Sequence, residues 1–120
     1  NGFTSFASDQ FLKEFENLKS FTFISQRISN NQIQIKDLPN LEILRLEASN
    51  LRTLDARVLS DLPNLKEFDA TRNFISQITL NWSSFPKLEY IDLSRNRLGS
   101  STESLDFSEL KNLITLDLQS

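Results

Sequence analysis

Apolar side chains recur along this chain with one fixed spacing, in which a leading apolar residue is followed three and five positions later by two more. Five copies of this ladder begin at Leu18, Leu41, Leu65, Leu88 and Leu113, at intervals of about 23 to 25 residues. Within each copy the last two apolar positions are separated by one position that is usually polar, which is the period of a half-buried strand. The pattern therefore predicts five short strands near residues 20–24, 43–47, 67–71, 90–94 and 115–119.

The strands are too short to bury their apolar face alone, so the copies must stack with their strands aligned in one parallel sheet. A polar residue follows three positions after the last apolar site of four copies: Gln26, Ser49, Asn73 and Asn96. A carboxamide there can satisfy backbone groups where the chain bends out of the strand and can bridge adjacent coils. We expect the asparagines to satisfy these backbone groups fully and the glutamine to do so less well. The coil that contains Ser49 should be the least tightly held.

A second apolar column supports the same alignment, six residues before each ladder. It contains Leu12, Ile35, Leu59, Trp82 and Phe107. The single tryptophan could stack on a ligand, but its place in this column predicts that it belongs to the core on the far side of the coil. Both ends of the chain fall at the same phase of the repeat, and we expect an internal stretch of a longer array, without capping segments.

Composition excludes several kinds of chemistry. The 120 residues include no histidine and no cysteine, which removes an imidazole base, a thiol nucleophile and the usual zinc ligands. With two glycines there is no phosphate-binding loop, and the net charge of −3 disfavours a nucleic-acid partner. No apolar run is long enough to span a membrane. We therefore expect no catalytic residues, no cofactor and no bound metal.

The outward strand positions form the candidate binding surface. They carry large and charged side chains suited to an interface with a protein or another macromolecule: Ile43, Arg45, Glu67, Asp69, Tyr90 and Asp92. The alternative is a solvated face on which Arg45 pairs with Asp69 across strands. Asp69, Asp92 and Asp117 share one strand position, and a calcium ion bound along this column is a further, weaker alternative.

Asn81-Trp82-Ser83 is the one sequon for N-linked glycosylation. It lies on the side of the coil away from the predicted sheet, where a glycan would leave the sheet exposed. Modification of Asn81 requires passage through the secretory pathway. The sequence alone leaves its occupancy open.

Three features resemble the typical leucine-rich repeats of animal cell-surface and secreted proteins. These are Leu62-Pro63-Asn64-Leu65 before a strand, Leu93-Ser94-Arg95-Asn96 after one, and the repeat length. The resemblance covers the whole chain, and its relatives include Toll-like receptor ectodomains, insect immune proteins and adhesion receptors. It implies an α/β solenoid with a curved parallel sheet on its concave side and loops with short helical turns on its convex side.

The resemblance also implies a function. It points to a non-catalytic recognition module of a secreted or cell-surface receptor in innate immunity or cell adhesion, which binds on the concave face and can act as a homodimer or heterodimer. An intracellular scaffold, or a regulatory arm attached to an enzyme, is the alternative. Departures from the repeat pattern are Gln26 and Ser49 at the asparagine site and Ala70 at an inward leucine site.

Overall fold

A computed structural model describes residues 17–24, 34–99 and 105–119. Gln26 and Leu12 therefore lie outside the described residues, and their predicted roles stay predictions. The described residues form short strands with the following bounds: β1 (Ser20–Thr22), β2 (Ile35–Lys36), β3 (Ile43–Arg45), β4 (Thr53–Leu54), β5 (Leu59–Ser60), β6 (Glu67–Asp69), β7 (Gln77–Ile78), β8 (Tyr90–Asp92) and β9 (Thr115–Asp117).

The five three-residue strands build one parallel sheet in the order β1-β3-β6-β8-β9. Leu44 lies opposite Phe21 on one side and opposite Phe68 on the other, so the apolar column predicted from the repeat is the observed register. Each strand begins at the predicted residue and ends two residues earlier than predicted. The hydrogen bonds between coils nevertheless continue past the strand ends, as in the 2.7 Å bond from the N–H of Leu46 to the carbonyl of Asp69.

A left-handed residue marks the bend that follows these strands. Ala48, Arg72 and Arg95 have φ angles of 51°, 59° and 58°, and each directly precedes the polar site of its coil. A positive φ turns the backbone out of the extended conformation at once. The left-handed residue comes three residues after the last residue of each of these strands and one residue after the end that the sequence pattern predicts.

The inward sides of the three central strands are fully packed, whereas Leu116 of β9 is 37% exposed and Phe21 of β1 is half-buried. Leu44, Leu46 and Leu93 expose none of their surface, and Phe68 and Ile91 expose almost none. Full burial of a side chain of this size stabilises the fold by about 1.5 to 3 kcal/mol relative to leaving it in water. The sheet is therefore held from behind by a continuous apolar layer contributed by successive coils.

The return side of the coils carries smaller pieces of structure. Strands β2 and β5 pair in parallel, as do β4 and β7, and a 3₁₀ turn spans Trp82–Ser84. Trp82 is 5% exposed and lies 5.0 Å from Phe107 and 6.2 Å from Phe85 between ring centroids. The prediction that the tryptophan belongs to the core is therefore confirmed.

This architecture is the predicted solenoid, with parallel strands stacked on one side and short turns and strands on the return side. In the part of the chain that the structure describes, every buried side-chain nitrogen or oxygen has a hydrogen-bond partner. No helix among these residues combines the length and the apolar composition that crossing a bilayer requires.

Candidate functional site

The asparagine column joins the coils behind the sheet. The side-chain oxygen of Asn73 accepts hydrogen bonds from the backbone N–H groups of Ser49 and Leu51, at 2.8 and 3.0 Å. Its nitrogen donates to the carbonyl of Leu46 in the preceding coil and to that of Ala70 in its own. One carboxamide thus satisfies backbone groups of two coils, as the sequence predicted.

Asn96 repeats this arrangement one coil further along. Its oxygen accepts from the N–H of Ile75 at 3.0 Å, and its nitrogen reaches the carbonyls of Ala70 and Leu93. At the equivalent place Ser49 is fully buried, and its hydroxyl lies 3.0 Å from the carbonyl of Phe23. A hydroxyl has a single hydrogen to donate, so Ser49 makes fewer links than the asparagines.

A second polar ladder lies at the exposed turn before each strand, and the sequence reading did not identify it. Asn64 donates to the carbonyl of Pro39, and Lys87 donates to the side-chain oxygen of Asn64 at 2.8 Å. Asn112 reaches the carbonyl of Pro86 at 3.3 Å. The signal was the residue immediately before each leading leucine, which is asparagine in four copies and lysine in the other.

The outward side of the five-stranded sheet, here called the sheet face, carries the predicted binding residues. Ile43, Glu67 and Tyr90 are aligned in adjacent strands, and Arg45, Asp69 and Asp92 form the parallel row two residues along. Tyr90 is 42% exposed, whereas Ile43 is half-buried. The structure therefore brings all six predicted residues together on one surface, with Tyr90 as its exposed aromatic side chain.

The charge pairing on this face differs from the alternative considered for it. Arg45 lies opposite Asp69 in the sheet, but its guanidinium forms an ion pair with Glu67, at 3.5 Å. Both side chains remain more than 40% exposed. An exposed pair of this kind is worth about 0 to 1 kcal/mol, so it orients Arg45 without fixing it.

The aspartates of the outer row have a local structural role. Asp69, Asp92 and Asp117 each accept a hydrogen bond from the backbone N–H two residues later, at 2.9 to 3.0 Å. Such a turn caps the end of the strand just before the bend. Among residues 17–24, 34–99 and 105–119, no group of three or more acidic side chains is arranged to hold a metal ion.

The middle of the sheet face contains an open depression with a volume of about 300 Å³. Its rim includes side chains from four adjacent strands: Arg45, Glu67, Asp69, Tyr90, Asp92, Thr115 and Asp117. The floor is formed by the strand backbone and the inward residues. Such a depression can receive a side chain of a partner, while the surrounding face offers charged groups of both signs.

The sequon lies on the opposite side of the coil. Asn81 is exposed and immediately precedes the 3₁₀ turn, where its side-chain oxygen accepts hydrogen bonds from the N–H and the hydroxyl of Ser83, at 3.2 and 2.6 Å. These bonds use the oxygen and leave the amide nitrogen, the atom that a glycan would modify, directed away from them.

Comparison with known proteins agrees with this geometry. The family model described as leucine-rich repeat matches residues 39–98. Toll-like receptor 4 of Pongo pygmaeus is 31% identical over 107 residues, which are 88% of this chain and 13% of that receptor. Toll-like receptor 3 of Bos taurus is 31% identical over 81 residues, which are 62% of this chain and 9% of the receptor.

A relative of another kind also matches. Acidic leucine-rich nuclear phosphoprotein 32 family member A of Drosophila melanogaster is 37% identical over 78 residues, which are 65% of this chain and 29% of that protein. The chain thus spans less than a third of the length of each of these relatives. The stacked coils, the asparagine column and the matching family model show that the chain belongs to the leucine-rich repeat family and resembles segments of Toll-like receptors.

Proposed function

We propose that this chain is a non-catalytic recognition segment of a cell-surface or secreted receptor, with the sheet face as the surface that binds a protein partner. The observation that carries the proposal is Tyr90, which stands 42% exposed beside the open depression at the middle of the sheet. A tyrosine in this position can lose much water-exposed area on binding at little cost in side-chain entropy. The similarity to Toll-like receptors supports recognition in innate immunity.

Arg45 is the second proposed anchor. Among the described residues its guanidinium forms an ion pair with the exposed Glu67 carboxylate, and it lies on the rim of the same depression. A planar guanidinium can exchange this partner for a carboxylate or carbonyl group of a ligand without moving the backbone. Tyr90 and Arg45 together thus offer an apolar and a charged contact within one small area.

The exposed sequon supports a location in the secretory pathway. A glycan on Asn81 would lie on the return side, near the 3₁₀ turn and away from the sheet face. The intracellular alternative has its own support in the similarity to a nuclear phosphoprotein. Modification of Asn81 in cells distinguishes the two locations, because the enzyme that attaches N-linked glycans acts on proteins entering the secretory pathway.

The proposal is tested by exchanging both anchors in the full-length protein. A partner is first isolated with the unaltered protein, and its affinity is then measured by surface plasmon resonance. We expect Tyr90→Ala combined with Arg45→Ala to weaken binding by about 2 kcal/mol or more. The thermal unfolding midpoint should change little, because neither side chain belongs to the core.

Substitutions outside the sheet face serve as the control. Arg57 and Lys111 are exposed and lie outside the sheet, so replacing both with alanine should leave the affinity unchanged. The opposite result, with normal binding by the sheet-face variant and lost binding by the Arg57 and Lys111 variant, would refute the proposed surface.

A further inference from the structure

A second exposed surface lies beside the sheet face, on the flank that follows the bend of each coil. It consists of four arginines and one phenylalanine, here called the arginine flank: Arg52, Arg72, Phe74, Arg95 and Arg97. All five are exposed, and Phe74 exposes 38% of its surface. This flank is outside the site described above, and it combines one exposed ring with four cationic side chains.

The backbone ladder brings these residues together from different coils. The N–H of Phe74 donates to the carbonyl of Leu51, beside Arg52, and the N–H of Arg97 donates to the carbonyl of Ile75, beside Phe74. As a result the guanidinium carbons of Arg97 and Arg52 lie 4.7 and 5.7 Å from the centroid of the phenyl ring. The ring is thus in contact with two guanidinium groups, one from the coil before it and one from the coil after it.

Arg72 and Arg95 extend the same flank toward the sheet. Both have a positive φ at the bend, and the N–H of Arg72 donates to the carbonyl of Ser94, the residue before Arg95. The two arginines therefore occupy equivalent places in adjacent coils, about 5 Å apart along the stack. No ion pair joins Arg72, Arg95 or Arg97 to another described residue.

This concentration of positive charge contrasts with the rest of the protein. The chain as a whole carries a net charge of −3, and the aspartate that caps each adjacent strand lies only three residues before Arg72 or Arg95. The basic strip is consequently narrow and bordered by carboxylates. A long polyanion such as a nucleic acid would extend over that acidic border and be repelled, whereas a short acidic segment fits within the strip.

We infer that the arginine flank is a second docking site, and that its occupant is a short acidic segment of a partner protein, rich in aspartate or glutamate. Guanidinium groups bind carboxylates through paired, charge-assisted hydrogen bonds. Phe74 orders two of these groups before binding and offers an apolar contact between them. The inference concerns a surface separate from the sheet face and does not depend on Tyr90 or Arg45.

The test uses the full-length protein and a fluorescein-labelled short peptide of alternating glutamate and serine, with binding followed by fluorescence anisotropy. The combination of Arg72→Asn with Arg95→Asn is suitable because asparagine tolerates a positive φ. We expect it to weaken peptide binding about five- to thirty-fold. The matched control, Arg57→Asn with Lys111→Asn, removes the same total charge elsewhere and should change the affinity less than about twofold.

A variant that preserves charge tests the aromatic contact. Phe74→Leu leaves every arginine in place but removes the ring, and we expect it to weaken binding about two- to five-fold. A sheet-face variant, Tyr90→Ala, should bind the peptide normally, which separates this site from the proposed receptor surface.

Three results would overturn the inference. The first is equal weakening by the flank and control double variants, which would mean that binding follows net charge alone. The second is tighter binding of heparin or of a single-stranded oligonucleotide than of the glutamate peptide, which would identify a polyanion as the occupant. The third is no measurable anisotropy change with the peptide at any attainable protein concentration.

Discussion

The side-chain amides of Asn73 and Asn96 both donate a hydrogen bond to the carbonyl oxygen of Ala70, each with a donor–acceptor distance of 2.9 Å. The two residues belong to successive coils, and the shared acceptor belongs to the same coil as Asn73. Since a carbonyl oxygen has two lone pairs, it can accept both donors in full. The bend after strand β6 is thereby hydrogen-bonded within its own coil and to the next coil. The arginine flank begins at the residues beside these two asparagines.

Replacing Asn73 with alanine should destabilise the fold more than the same change at Asn96. Asn73→Ala leaves the buried N–H groups of Ser49 and Leu51 without their acceptor, whereas Asn96→Ala leaves the N–H of Ile75. With about 1 to 3 kcal/mol for each orphaned group, we expect a loss of about 3 kcal/mol at Asn73 and about half of that at Asn96. Urea unfolding followed by circular dichroism measures both values.

The exposed polar ladder provides the control for this comparison. Asn64→Ala removes hydrogen bonds to Pro39 and Lys87 at a turn that water can reach, so it should cost less than about 1 kcal/mol. If Asn64→Ala proves as damaging as Asn73→Ala, burial is not what makes the asparagine column important.

The apolar columns could be predicted from the sequence because their spacing has one structural solution. Leu44 and Ile91 had to face inward for the strands to stack, and the same register required Trp82 to be buried on the far side. Each of these assignments rests on a periodic position repeated in every coil. Five copies in the same register therefore leave one consistent fold.

The contacts of exposed side chains could not be predicted in this way. Register alone placed Arg45 next to Asp69, yet the guanidinium pairs with Glu67, because Asp69 already caps its strand through the N–H of Thr71. Whether a side chain bonds within its own turn or across strands depends on its rotamer, and the repeat spacing does not predict rotamers. The pairing of Phe74 with arginines from two other coils escaped prediction for the same reason.

The turn at Asp55 should make the free energy of unfolding depend on pH in the acidic range. The hydrogen bond from the Arg57 guanidinium, at 3.1 Å, lowers the pKa of Asp55 below its ordinary value of 3.8. Because the pKa of Asp55 is lower in the folded protein than in the unfolded chain, its stabilisation is fully present at a pH above the pKa of the unfolded chain. The stabilisation is lost as the pH falls through the pKa of the folded protein. Asp55→Asn should therefore be less stable than the unaltered protein at neutral pH, by at most about 1 kcal/mol, and the difference should vanish in strong acid.

Arg57→Ala provides the second half of this experiment. It removes the largest cause of the lowered pKa, while the backbone N–H groups of residues 57 and 58 still donate to the carboxylate, so Asp55→Asn should have a smaller effect in its background. Unfolding midpoints measured from neutral pH down to about pH 2 would reveal the coupling as a difference that disappears with acid. A constant gap between Asp55→Asn and the unaltered protein across this range would assign the effect to the turn hydrogen bonds instead of the charge.

Modification of Asn81 tests where the protein functions. The side chain is exposed, and its oxygen already accepts a hydrogen bond from the Ser83 hydroxyl. We expect the full-length protein, recovered from the cells that produce it, to carry an N-linked glycan that a specific glycosidase removes, as seen by intact mass spectrometry. Ser83→Thr keeps the sequon and should keep the glycan.

Asn81→Asp keeps an oxygen to cap the 3₁₀ turn but offers no amide, so it should lose the glycan without losing stability. Because Asn81 lies away from the sheet face, partner binding should survive that loss; an unmodified Asn81 in protein recovered from the cell surface would remove the sequon's support for a secretory location.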